Sequence, residues 1–301
     1  MIKQNLNTII DFDDPSTFPE ELSLWDTQFE NKIRDTVITD NVTEGWQIER
    51  QLQDLYIDEE PLVTDYLDTH LDTEVAVSHV TRILDIEKFK REGLITGGGY
   101  GSIADKRLRN LLSSIGLDKP EEDKVMAKVY EYWKRDGKQR TENVHFQFDR
   151  KNIYNDDRLN EYAINLGGEI LRWAIYGCGE NLFQTEPYKR LWIWGKPCIV
   201  KFKCSLADMC PSTRAPLLAE IVKYYIVTRV YGYSYEFAFA GKTIGSVPGD
   251  NIISIEEIEG FIEMQEKYDE FAGFYDEIKQ HTEGSSTDSA LLTNTADEGH
   301  L

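Results

Sequence analysis

Hydrophobic and polar positions change texture twice along the chain. Over residues 1–74, apolar side chains such as Leu22, Leu24, Trp25, Phe29, Ile33 and Val37 are scattered among many acids. Loose helical spacing runs from Leu22 to Ile38 and again from Gln47 to Tyr56, which predicts a few weakly docked helices or a partly disordered extension. At Val75 the pattern tightens. Glu74 to Thr81 is apolar and rich in β-branched residues, and reads as a buried strand. Asp85 to Glu92 predicts a short helix stopped by Gly93, Gly97 to Gly99 a flexible loop, and Lys106 to Ile115 a helix ended by Gly116. Lys119-Pro120-Glu121 puts proline and acids in the first turn of a further helix running to about Arg135.

Asn143 to Phe148 alternates as a strand does, and Ile170 to Tyr176 is a helical stretch closed by Gly177. Pro197 to Phe202, Tyr233 to Ala240 and Ile252 to Ile255 read as later strands, with Gly241 to Gly245 as a turn. Residues 256–280 predict a polar helix whose apolar face carries Phe261, Met264, Tyr268, Phe271 and Tyr275. Residues 281–301 turn to Ser, Thr, Asp and Gly, a disordered tail. Short strands spread among helices without regular βαβ alternation predict an α+β fold. The domain reading is an acidic extension at 1–74, a core at 75–255, a C-terminal helix at 256–280 and a tail at 281–301.

Composition narrows the class. The 301 residues are 41% hydrophobic and 29% charged, enough for a sizeable core. No stretch approaches the roughly 18 apolar residues of a membrane span. The first residues lack the basic-then-apolar order of a signal peptide. Cys178, Cys198, Cys204 and Cys210 form no CxxC pair, so neither a disulfide framework nor structural zinc is expected, and a cytoplasmic location is. The net charge of −21 is unevenly distributed: residues 1–74 and 256–301 are strongly acidic, whereas residues 75–255 carry a small basic excess. Such a centre can attract an anionic ligand; acidic flanks that merely aid solubility explain the same numbers.

One constellation carries chemistry. Val77-Ser78-His79-Val80-Thr81, a helix starting about four residues after Thr81, and then Glu92-Gly93-Leu94 resemble the entry motif of the ADP-ribosyltransferase-like family, similar in texture to DNA-targeting toxins of the DarT type. Gly167-Gly168-Glu169 resembles the small-small-Glu step that places that family's catalytic glutamate. Gly195 to Phe202, Tyr235 to Phe239 and Val247 to Ile255 are similar to its later strands. The resemblance spans roughly residues 75–255. It implies a split β-sheet core, NAD as co-substrate, and transfer of ADP-ribose to a macromolecular acceptor, nucleic acid or protein. A toxin or defence effector, held by an antitoxin or other regulatory protein and acting without metal or membrane, fits that picture.

The residue types suit this chemistry. Cleavage of the nicotinamide–ribose bond passes through an oxocarbenium-like state that a carboxylate stabilises. By the resemblance, Glu169 is that carboxylate, His79 hydrogen-bonds the nicotinamide ribose, and Thr81 lines the pocket. Tyr100 or Tyr162 would stack on nicotinamide, and Arg107 or Arg109 would hold the pyrophosphate through paired donors. The acid that arginine-modifying members carry two residues before the catalytic one is replaced by Gly167, which disfavours arginine as acceptor. Plainer readings stand beside these. His79 reads equally as a structural histidine, Glu169 as a helix-start acid favourable to the dipole, and Gly97 to Gly101 as a simple linker. NAD hydrolysis needs the same pocket with water as acceptor, and an acidic partner-binding protein on a degenerate transferase fold needs no chemistry at all.

Overall fold

The computed structural model describes residues 9–18, 27–37, 42–57, 61–136, 142–150, 153, 169–179, 185–188, 195–237 and 240–258. The strands are β1 (Ile10–Asp11), β2 (Glu74–Ile83), β3 (His145–Gln147), β4 (Lys196–Ser205), β5 (Ala240–Lys242) and β6 (Ile252–Glu257). The helices are α1 (Thr27–Thr36), α2 (Gly45–Leu52), α3 (Pro61–Thr69), α4 (Ile86–Glu92), α5 (Ile103–Ser114), α6 (Lys119–Asp136), α7 (Glu169–Tyr176) and α8 (Pro211–Tyr225), the last continuing as a π-helical turn over Ile226–Val230. The chain is α+β, and among the described residues the strands form one open, mostly antiparallel sheet in the order β5-β3-β2-β4-β6. β1 runs parallel to the start of β2, on the edge that β3 occupies further along.

The register of β2 against β4 decides what each sheet face does. Val77 stands opposite Phe202, His79 opposite Val200, and Thr81 opposite Cys198. Because strand side chains alternate, these positions share one face with Val75 and Ile83. That face carries the main core, in which Val75, Val77, Cys198, Val200 and Phe202 pack with Ile33, Ile48, Val63, Leu217, Ile221 and Val222 from the helices. On the reverse face, Val80 and Ile199 meet Ile153 and Ile258 in a small separate cluster. A third cluster holds α5, α6 and α7 together through Leu112, Val125, Met126, Val129, Leu171 and Ile175.

The expected boundary near residue 74 marks a change of charge but not of packing. Ile10 pairs with Val75, and Phe12 sits with its ring centroid 4.9 Å from Phe148 and 4.5 Å from Phe237. Ile33, Val37, Ile48, Leu52, Val63 and Tyr66 are all buried in the main core. The acidic segment is therefore part of the core rather than a weakly docked extension. In α2 and α3, Ile48, Leu52, Val63 and Tyr66 turn inward at helical spacing, the amphipathic arrangement a surface helix requires.

At the other end, Glu256 and Glu257, expected to open a helix over 256–280, belong to β6. The rest of that helix from residue 259 onward, and the tail at 281–301, lie outside the described residues. The strand expected over Tyr233–Ala240 is irregular through Phe237, and the short β5 begins only at Ala240. Among the described residues, no helix is long and apolar enough to cross a membrane.

Candidate functional site

The His79 strand is built by local rules. Asp85 caps α4, its carboxylate accepting from the Lys88 amide at 2.9 Å. Gly93 ends the helix at φ 74°, where a Cβ would collide with the carbonyl oxygen of Val247. That close approach lets Leu94 and Val247 exchange both backbone hydrogen bonds, at 3.0 and 2.8 Å. The Glu92-Gly93-Leu94 part of the motif thus locks α4 against the segment before β6, and Thr96 extends the join through Ser246 at 2.9 Å.

His79 and Thr81 are half-buried on a face whose flanking positions, Val77 and Ile83, are buried. The Nδ1 of His79 lies 2.6 Å from the carbonyl oxygen of His145. A carbonyl can only accept, so Nδ1 carries the hydrogen and the neutral ring keeps a lone pair on Nε2. Burial pulls the imidazole below its ordinary pKa, against the smaller raising effect of that hydrogen bond. His79 is consequently neutral at pH 7, a fixed tautomer with one acceptor to offer.

The remaining described candidates gather elsewhere, around α5 and α6. Arg109 donates to Asp123 at 2.8 Å and to the Tyr130 hydroxyl at 2.9 Å, and pairs with Glu122 at 2.5 Å and Asp105 at 3.4 Å. Hydrogen bonds that it donates to Asp123 and Glu122 hold its guanidinium above its ordinary pKa. Tyr130 in turn donates to Asp105 at 2.6 Å. Burial pushes the Asp105 carboxyl up, but hydrogen bonds from Tyr130, the Gly101 amide and Arg109 outweigh it and leave it below the usual range. This network ties α5 to α6 and leaves Arg109 committed. Tyr100 belongs to the same region: its ring, 85% exposed, meets the edge of Tyr130 at 5.9 Å, and Gly101 beside it donates to Asp105 at 2.9 Å. Arg107 pairs with Glu92 at the surface, which links α5 to α4.

Glu169 is the first residue of α7. Tyr162, Gly167 and Gly168 lie outside the described residues. The structure thus brings His79 and Thr81 together on one strand, and Tyr100 and Arg109 together around Tyr130.

Sequence reasoning passed over a second buried polar group. Glu220, in the middle of α8, accepts from Tyr235 at 2.5 Å and from Lys223 at 2.7 Å. Burial and the Glu220 charge push the carboxyl of Glu49, on α2, above its ordinary value. The signal was present: an acid inside Leu217-Leu218-Ala219-Glu220-Ile221-Val222 is a buried charge in need of partners. Ser78, on the reverse face, is fully buried, and its hydroxyl has no partner among the described residues. Among the described residues no group of His, Cys, Asp or Glu is arranged to hold a metal ion.

No protein-family model matches the chain, and neither curated proteins nor solved structures give a match to it.

Proposed function

We propose that the chain transfers ADP-ribose from NAD to a macromolecular acceptor, nucleic acid or protein, with a single open sheet in place of the split β-sheet that the resemblance implied. The observation that carries this reading is the state of His79. A neutral imidazole with Nδ1 fixed by a backbone carbonyl offers Nε2 as an oriented acceptor on a half-open stretch of sheet. A ribose hydroxyl is a donor suited to it, and Thr81 supplies a hydroxyl two residues along the same face. Glu169 fills the electrostatic role, its negative charge answering the positive charge that develops on the ribose as nicotinamide leaves.

Arg109 is committed to four partners, so pyrophosphate recognition falls to Arg107, whose exposed pair with Glu92 is worth about 0–1 kcal/mol and exchanges readily. Tyr100 stands exposed beside a loop in which Gly97, Gly99 and Gly101 adopt positive φ. Closure of that loop would carry an aromatic surface toward the nicotinamide. The test is incubation of the purified protein with NAD labelled in its adenosine half, together with cell lysate. Label on nucleic acid or protein supports transfer; label recovered only as free ADP-ribose means hydrolysis, and intact NAD means neither.

A further inference from the structure

The helical cluster of α5, α6 and α7 carries a cavity that the reading above leaves unused. Lys128, Glu131, Tyr132, Arg135, Tyr176 and Gly177 line it, and its volume is about 380 Å³. Small-ligand pockets begin near 300 Å³. We propose that this cavity binds a nucleoside monophosphate, at a site separate from the His79 strand and independent of whether NAD is turned over.

The argument starts from spacing. Positions 128, 131, 132 and 135 of α6 fall at i, i+3, i+4 and i+7, so they share one helix face. Two cations, Lys128 and Arg135, thereby bracket Tyr132. Tyr132 is buried and belongs to the packed cluster of Val125, Met126, Val129 and Ile175, so the floor of the cavity is anchored. The guanidinium of Arg135 lies over the Tyr132 ring, 5.2 Å from its centroid. That stacking holds the planar fork in place before any ligand arrives, which suits bidentate recognition of a phosphate.

The opposite wall is the end of α7. Tyr176 supplies a second aromatic surface, and Gly177 presents backbone without a side chain. Lys124, one turn before Lys128, donates to the Cys178 carbonyl at 3.3 Å and so braces the two helices. Aromatic walls beside paired cations are the chemistry that recognises a base attached to a phosphate. A purely aliphatic anion would leave the tyrosines unused, and a neutral aromatic would leave the cations unused. Glu131 is the one acid among the described residues of the lining. It pairs with Lys128 at 2.8 Å in an exposed ion pair, and a phosphate would compete with it for the ammonium.

Calorimetric titration of the full chain with adenosine 5′-monophosphate, adenosine and inorganic phosphate tests the site. The monophosphate should bind with a dissociation constant below about 1 mM and clearly tighter than either fragment. Arg135→Gln and Lys128→Gln should each weaken it roughly tenfold, with unchanged melting temperature, because each removes a charge-assisted contact. Glu131→Gln should tighten it by removing the competing acid. His79→Ala should leave it unchanged. Monophosphate binding no tighter than phosphate alone, or indifferent to Arg135→Gln and Lys128→Gln, overturns the proposal. Loss in His79→Ala moves the binding to the strand site, which also overturns it.

Discussion

Burial makes the His79 imidazole resist a second proton, and the Nδ1 hydrogen bond to a backbone carbonyl, which favours the charged form, only partly offsets this. His79 therefore has its pKa lowered from 6.5, and the sign of the linkage follows. The unfolded chain binds that proton more readily, so the contribution of His79 to stability is present above pH 6.5 and is lost as pH falls through its folded value. Melting temperatures from pH 8 to 5 should show an acid-side loss that His79→Asn reduces. An identical acid limb in the variant would mean that His79 titrates as it does in water. The ligand-binding side is separate: His79→Ala should weaken NAD binding by about tenfold while the fold persists, since one oriented hydrogen bond is removed. Unchanged NAD affinity would return His79 to a purely structural role.

Glu49 has the opposite linkage. Its carboxyl is raised from 4.5 by burial first and by Glu220 second, so the folded state holds the proton more tightly than the unfolded one. The stability this supplies is complete below pH 4.5 and is lost as pH rises through the folded value. Glu49→Gln should accordingly stabilise the protein at pH 7, with little effect below pH 4. A variant less stable than wild type at pH 7 would show that the Lys223 attraction outweighs the Glu220 repulsion.

At the scale of elements, Gly93 is the position where a single atom matters most. A Cβ there would meet the Val247 carbonyl, and the backbone already sits at a φ of 74° that side chains rarely adopt. Gly93→Ala should cost on the order of 1–3 kcal/mol or more and should free α4 from the segment before β6. Thermal denaturation reads this directly; a loss under about 0.5 kcal/mol would mean that the two segments separate without consequence.

The same elements show why some of the fold was legible in the sequence. β2 and β4 were readable because a buried strand needs a continuous β-branched or apolar run, and Val75 to Val80 or Pro197 to Phe202 offers little else, whereas the more exposed β6 was marked only by the short run Ile252 to Ile255. α4, α5 and α6 announced themselves through Asp85, Gly93, Gly116 and Pro120. β1 and β5, of two and three residues, exist only because β2 and β3 pair with them, and no local signal marks such strands. α8 was obscured by Pro211 and Pro216 and by a surface apolar nearly all round. In the candidate site, the adjacency of His79 and Thr81 follows from strand alternation. The commitment of Arg109 depends on Asp105, Glu122 and Tyr130 converging from two helices, which spacing alone could not reveal.

For the whole molecule, the acidic N-terminal segment is inseparable from the sheet. Phe12 and Phe18 interleave with Tyr224 and Phe237, and α1 to α3 supply much of the main core. Deleting a buried Phe alone costs about 3–5 kcal/mol, and a typical domain has only about 5–15 kcal/mol to lose. Removing residues 1–69 should therefore abolish cooperative unfolding and leave aggregated or collapsed chain. A truncated protein with a sharp melting transition would show that the sheet and α8 form a self-sufficient core.

The proposed function requires the chain to break the nicotinamide–ribose bond of NAD with Glu169 as the stabilising carboxylate, and nicotinamide release by the wild type and by Glu169→Gln tests it. The substitution keeps size and hydrogen-bonding capacity but removes the charge. Loss of one such electrostatic group costs on the order of 10² to 10³ in rate, while ground-state binding changes far less, because the charge it answers develops in the transition state. Wild-type protein should release nicotinamide in the presence of lysate, Glu169→Gln should release about a hundredth as much or less, and NAD affinity and melting temperature should barely move. Equal release by the two proteins, or none from the wild type with any acceptor supplied, contradicts the proposed function.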